Sequence, residues 1–168
     1  DSRFYGIAKT RARVFFVGVR NDISEAAGLN FLTIGTTFPE PYKDVVSLKD
    51  ALEGLEYDEE ELEMLREKYL TASYRTTADK MPDNPERVIS GEEHHPKGHL
   101  FNLKKASQYL PAPTITATGA QMGAGGTIHW TEKRKLTLGE LKRIQSLPDD
   151  FRLTGKWNQK AERIGRMV

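Results

Sequence analysis

The 168-residue chain contains no cysteine. That excludes disulfides, thiolate metal sites and any cysteine nucleophile within it, and leaves the redox compartment open. No apolar run approaches membrane-spanning length. No leader is visible, and a start at Asp1 reads as a piece excised from a longer protein. Net charge is almost absent, at +1. What remains, 38% hydrophobic and 29% charged residues, is the balance of a globular, soluble domain rather than a disordered segment. The length suits one domain, or one and a half small ones.

The small net charge hides an imbalance. Residues 1–84 carry 11 Lys/Arg against 16 Asp/Glu, whereas residues 85–168 carry 14 against 8. A basic half beside an acidic half fits one face turned to a polyanion. Charge alone fits an unevenly solvated surface equally well.

In chain order, Val14 to Val19 is a continuous apolar run rich in β-branched and aromatic residues, which predicts a strand buried on both faces. Arg11 and Arg13 precede it at spacing two, so an extended backbone projects both to one side. Two adjacent guanidiniums suit a phosphate or carboxylate between them; from the residues alone, an ordinary ion pair is favoured. Asp22 to Gly28 reads as a turn or short helical piece, and Phe31 to Pro41, with Gly35, as a loop. Ser47 and Asp50 start a short helix that runs to Gly54. A second helix runs from about Asp58 with Leu62, Leu65 and Tyr69 as its stripe, its acidic first turn suiting the helix dipole. Thr71 to Lys97 reads as irregular, apart from a short strand at Val88-Ile89. His94-His95 lacks a third ligand at metal spacing, so no metal site is expected.

Leu100 to Leu103 is strand-like. Thr114 to Thr118 alternates as a half-exposed strand does, and Thr127 to Trp130 reads as another strand. The glycine-rich stretch Gln121 to Gly126 between them precedes a strand rather than a helix, which rules out a dinucleotide cradle and leaves a close-approach loop. Thr137 and Glu140 form a capping box for an amphipathic helix carrying Leu138, Leu141 and Ile144, which Pro148 ends. Trp157 to Val168 follows, with Asn158 as its cap.

Three stretches carry a resemblance. Arg134 to Phe151, RKLTLGELKRIQSLPDDF, resembles the ninth conserved motif of the DNA cytosine-5 methyltransferases. Residues 5–18, Y-G-I-x-x-x-R-x-R-V-F-x-V-G, resemble the eighth, with Ala8 and Lys9 standing where Pro-Gln is usual. Ile164 to Val168 partly matches the last motif. Thr114-Ile115 matches the dipeptide that precedes the glycine-rich loop at the end of the family's target-recognition domain. The order of the matches is more specific than any one of them.

The resemblance implies an α+β fold: end strands of an S-adenosylmethionine-dependent methyltransferase α/β sheet plus a small target-recognition domain with a hinge helix. The implied divisions are 1–21 for the end of the catalytic sheet, 22–131 for the recognition domain and 132–168 for the hinge helix and start of the last motif. Arg13, supported by Arg11, would hold a flipped cytosine. Thr114, Ile115, Thr116, Thr118, Gln121, Gly123 and Gly125 would lie at the DNA groove, glutamine being able to read adenine bidentately. Ordinary cross-strand packing is as good a reading of the threonines. Lys104, Lys105 and Arg134 would meet backbone phosphate, with Lys133 a further cation near them. Arg166 and Met167 would edge the S-adenosylmethionine pocket. The implied whole is a monomeric, cytoplasmic, nucleoid-associated bacterial enzyme of restriction-modification. It would act on double-stranded DNA, with its catalytic portion N-terminal to this chain and no membrane contact. The alternative is a non-catalytic DNA-binding specificity subunit, including one of a split methyltransferase. A small interaction domain with no DNA role is disfavoured by the motif order.

Overall fold

The structure, a computed structural model, describes residues 1–30, 33, 38–68 and 70–167. Phe31, Gly35, Tyr69 and Val168, used above, lie outside the described residues. The helices are α1 (Asn21–Ala26), α2 (Leu48–Ala51), α3 (Glu59–Glu67), α4 (Ala72–Ala78), α5 (Ala117–Ala120), α6 (Leu138–Ile144) and α7 (Trp157–Arg166). Strands β1 (Ile89–Ser90), β2 (Leu103–Lys105) and β3 (Gly126–Ile128) form one mixed sheet in the order β1-β2-β3. β1 runs antiparallel to β2, and β2 parallel to β3, with Lys104 opposite Thr127. The parallel pair needs a crossover, and residues 106–125, including α5, provide it. The architecture is thus α+β.

Local chemistry explains the helix ends. Ser47 accepts from the Asp50 amide, and Asp58 from the amides of Glu60 and Glu61. Both halves of the Thr137/Glu140 capping box form on α6. That helix stops before Pro148 is reached. Ser146 turns left-handed at φ 57°, and the Leu147 amide reaches back to the Lys142 carbonyl at 2.9 Å, which satisfies a carbonyl at the helix end.

Two apolar clusters hold these elements. Leu48, Ile115, Leu136, Leu141, Ile144 and Ile164 belong to one, with Trp130 and Trp157 packed against it. Leu70, Ala78, Met81, Ile89, Leu103 and Ile128 form the other, beneath the sheet. Helix α7 lies close against α5: a Cβ at Gly165 would sit 2.6 Å from the Thr116 carbonyl oxygen. Among the described residues no helix is long and apolar enough to cross a membrane.

Five expectations change. The strand expected over Leu100 to Leu103 begins only at Leu103, since Leu100 is left-handed at φ 66° and residues 101–102 turn. Val14 to Val19 is not a buried strand: Val14 is 80% and Phe16 97% exposed, and the segment is irregular. A two-faced strand needs neighbours for its amides and cover for both faces, and the described residues supply neither. Thr114 to Thr118 is not a strand, because Thr116 caps α5 by accepting from the Gly119 amide at 3.1 Å. The stretch after Thr71 is not wholly irregular. Helix α4 has no apolar stripe to reveal it, and forms where Thr77 and Ala78 bury. Asn158 does not cap α7. Lys156 occupies that position, and Asn158 instead accepts from the Met122 amide.

Candidate nucleic-acid interface

Residues 8–11 and 112–115 run side by side. Lys9 bridges Ala112 in parallel register, the Ala112 amide donates to Ala8 and the Thr10 amide to Ala112. Thr114 Oγ1 donates to the Thr10 carbonyl at 2.6 Å, and an Arg11 terminal nitrogen donates to the Ile115 carbonyl at 3.3 Å. The segment bearing Arg11 and Arg13 is therefore fastened to the Thr114-Ile115 dipeptide, a hundred residues away in sequence.

The alternating positions 9, 11 and 13 line one cleft of about 530 Å³, together with Phe15, Phe38 and Gln145. Its charged lining is Lys9, Arg11, Arg13 and Asp1, and the Asp1 carboxylate already accepts from the amides of Arg3 and Arg11. The cleft is thus cationic. Burial, then Arg11 and Arg13, push the Lys9 ammonium down to about 8. Burial and the neighbouring Arg13 likewise lower Arg11. Arg11 Nε is buried without a hydrogen-bond partner among the described residues, while Arg13 is exposed. Such a set is fitted to receive an acceptor-rich or anionic group.

Lys9 also links the three matched stretches. It donates to Gln145 Oε1, and Gln145 Nε2 donates to the Ile164 carbonyl at 2.9 Å. Sequence reasoning noted Lys9 only as a departure from the usual Pro-Gln and assigned neither it nor Gln145 to the site; the i, i+2 spacing of Lys9 with the two arginines was the available signal.

Beyond this cleft, Thr114, Thr116 and Thr118 are exposed, whereas Ile115 is buried in the core. Gln121 is half-buried and donates to Glu162 of α7 at 3.3 Å. Gly123 (φ 79°) and Gly125 belong to a turn that folds onto α5, so that a Cβ at Gly126 would lie 2.1 Å from the Gly119 carbonyl oxygen. Lys104 is half-buried and donates to Ser90 Oγ at 2.8 Å. Lys133 is exposed, near Asp79 at 2.9 Å.

Two expected phosphate contacts lie in the interior instead. Lys105 is 4% exposed and paired with Asp83 at 2.5 Å, because strand β2 turns it under the sheet. Arg134 is 1% exposed and grips Glu140 with both terminal nitrogens, at 2.8 and 2.9 Å. Glu140 also accepts from the Thr137 amide and from Tyr57, whose hydroxyl is pushed up to about 12 by burial and by the Glu140 charge. His129 Nε2 faces the same carboxylate at 3.8 Å. Its Nδ1 accepts from the amides of Thr131 and Glu132, and its ring stacks on Trp130. The ninth-motif arginine therefore organises the fold rather than meeting solvent.

The whole chain, residues 1–168, matches the family described as C-5 cytosine-specific DNA methylase. The chain belongs to that family. Among curated relatives, the type II methyltransferase M.Eco47II of Escherichia coli is 29% identical over 177 residues, covering 98% of this chain and 40% of the relative. M.BbvI of Brevibacillus brevis is also 29% identical, with coverages of 98% and 42%. M.MthTI of Methanothermobacter thermautotrophicus is 28% identical over 165 residues, covering 90% and 44%. The chain spans about two-fifths of the length of these relatives.

Of the residues assigned to the methyl donor, Arg166 is exposed and paired with Glu162 on its own helix. Met167, half-buried, only closes the end of α7. His94-His95 is likewise accounted for locally: the His95 ring stacks on His99 and its Nδ1 accepts from the Lys97 and His99 amides.

Proposed function

We propose that this chain is the C-terminal, DNA-recognising part of a cytosine-5 DNA methyltransferase of a restriction-modification system. The observation that carries this reading is the fastening of the Arg11/Arg13 segment to Thr114-Ile115 beside a cationic cleft. The reacting carbon of cytosine is inaccessible within the duplex, so the base must leave the stack and be held outside it. Arg13, exposed at the cleft, is the group for that task, with Arg11 behind it. The exposed Thr114 to Thr118 and the adjoining turn to Gly126 are suited to meet DNA, and Lys104 and Lys133 to meet phosphate.

In this reading residues 1–21 complete the catalytic sheet, residues 22–131 form the recognition domain, and residues 132–168 the hinge and start of the last motif. The apolar run 14–17 becomes a strand when the rest of the sheet is beside it. The thiolate that attacks cytosine and the S-adenosylmethionine pocket lie on the remainder of the protein, since the chain has no cysteine. A specificity subunit of a split methyltransferase is the second reading. The same exposed apolar edge supports it, because a separate polypeptide can cover that edge as well as a covalently joined one.

Expression of the intact parent protein, with its catalytic part, followed by sequencing for 5-methylcytosine tests the reading. Methylation should appear at one short DNA sequence, and Arg13→Ala should lower it at every such site alike. The isolated chain should transfer no label from S-adenosylmethionine to mixed DNA. Transfer by the chain alone, or a parent that leaves DNA unmethylated, sinks the reading.

A further inference from the structure

Lys135 is 1% exposed, and no carboxylate is within hydrogen-bonding reach of its ammonium among the described residues. Its three contacts are backbone carbonyls: Gly119 at 2.7 Å, Gly125 at 2.8 Å and Ala124 at 3.4 Å. A lysine ammonium has three donors and no acceptor, so the carbonyls satisfy it fully. They come from the two limbs of one turn. Gly119 lies in α5, while Ala124 and Gly125 lead into β3. The lysine itself is fixed from behind. Its own carbonyl accepts from Arg134 at 3.1 Å, and Arg134 is locked on Glu140 at the start of α6.

A buried cation without a counter-ion is costly, and burial pushes this one down to about 7. An apolar residue would fill the same space without that cost. What an apolar residue lacks is the means to draw two backbone limbs to one point. Between those limbs lie Gly119 to Gly125, with Gln121 among them, and Thr116 and Thr118 are on the adjoining cap and helix. The limbs touch: Gly126 has no room for a Cβ against the Gly119 carbonyl.

We propose that Lys135 is a positioning residue for DNA sequence recognition: its ammonium ties both limbs of the turn 119–125 to the base of α6 and so fixes the shape this turn presents to the bases. The proposal rests on the reading of 114–126 as the recognition stretch. It adds a residue that touches no DNA yet governs which base is preferred.

The test uses the intact parent methyltransferase and a library of single-base variants of its site. Lys135→Met removes all the donors; Lys135→Gln, whose polar head falls short of the carbonyls, serves if the first variant does not fold. Discrimination should fall on the order of tenfold at the base positions read by the turn, the scale of one base contact. The remaining positions and the affinity for unrelated DNA should hold. A uniform loss at all sites overturns the proposal, since it marks a purely structural role. So does an unchanged profile in a folded variant. Gln121→Ala and Thr118→Ala, run in parallel, separate the two failures. If they alter the preference and the Lys135 variants do not, only the lysine proposal falls; if neither does, the recognition stretch is misplaced and both fall.

Discussion

The interior of this chain holds more charge than its overall balance suggests, and two buried residues show what that charge does. Arg134 and Glu140 satisfy each other bidentately beneath Tyr57. Removing one partner leaves the other charged and buried. Arg134→Met should therefore cost about 3–5 kcal/mol, and Arg134→Met with Glu140→Gln should recover part of that loss. Urea unfolding of the two variants checks the order. His129 makes a second case. Burial, then the Arg134 charge, hold it at about 4, against its usual 6.5, although Glu140 and Glu132 pull the other way. The unfolded chain therefore takes up the proton first as pH falls. The stability tied to the neutral ring is complete above pH 6.5 and is lost progressively towards pH 4, amounting to at most about 3 kcal/mol. The unfolding midpoint of wild type should be lower at pH 4.5 than at pH 7, and the difference should be smaller in His129→Asn. Equal acid sensitivity of the two proteins would show that another group titrates.

At the scale of elements, the helices differ in how openly the sequence announces them. Helix α6 was legible because its start is local chemistry: Thr137 and Glu140 are three residues apart and each satisfies the other's amide. Its Thr137→Ala variant should lose about 1 kcal/mol, measurable as a shift in unfolding midpoint, with no change expected in α3. Helix α2 was legible for the same reason, and α3 from its Leu62 and Leu65 stripe and acidic first turn. The stretch 114–118 was not, since alternation of Thr with Ile and Ala serves a strand as well as a capped turn. The choice fell to Thr116, whose carbonyl also lies under Gly165 of α7. Helix α4 depended on burial of Thr77 and Ala78 beneath a sheet that no local pattern foretells. Val14 to Val19 was misread for a related reason: its pattern describes a strand between neighbours, and the described residues lack them. The site was legible as motifs, but not the Lys9–Gln145 link between them, nor the burial of Lys105 and Arg134, because direction of a side chain depends on strand register and long-range packing.

Over the whole molecule, the cations divide into those at the surface and those in the interior, and salt separates them. Phosphate contacts release counter-ions, so DNA affinity of the intact protein should fall steeply with ionic strength. Lys133→Ala should lower the slope of log affinity against log salt by about one. Lys105→Ala should leave the slope and weaken the fold, since it empties a buried position under the sheet. The most direct measurement is the methylation rate of the intact parent on every single-base variant of its site, for wild type, Arg13→Ala, Thr118→Ala and Gln121→Ala. Arg13→Ala should lower all rates by one common factor. Thr118→Ala or Gln121→Ala should change the ranking at one base position, by about 1–3 kcal/mol where a bidentate contact is lost. A ranking untouched by both groove substitutions, or an Arg13→Ala profile that changes base by base, would contradict the division between a base-holding cleft and a sequence-reading turn.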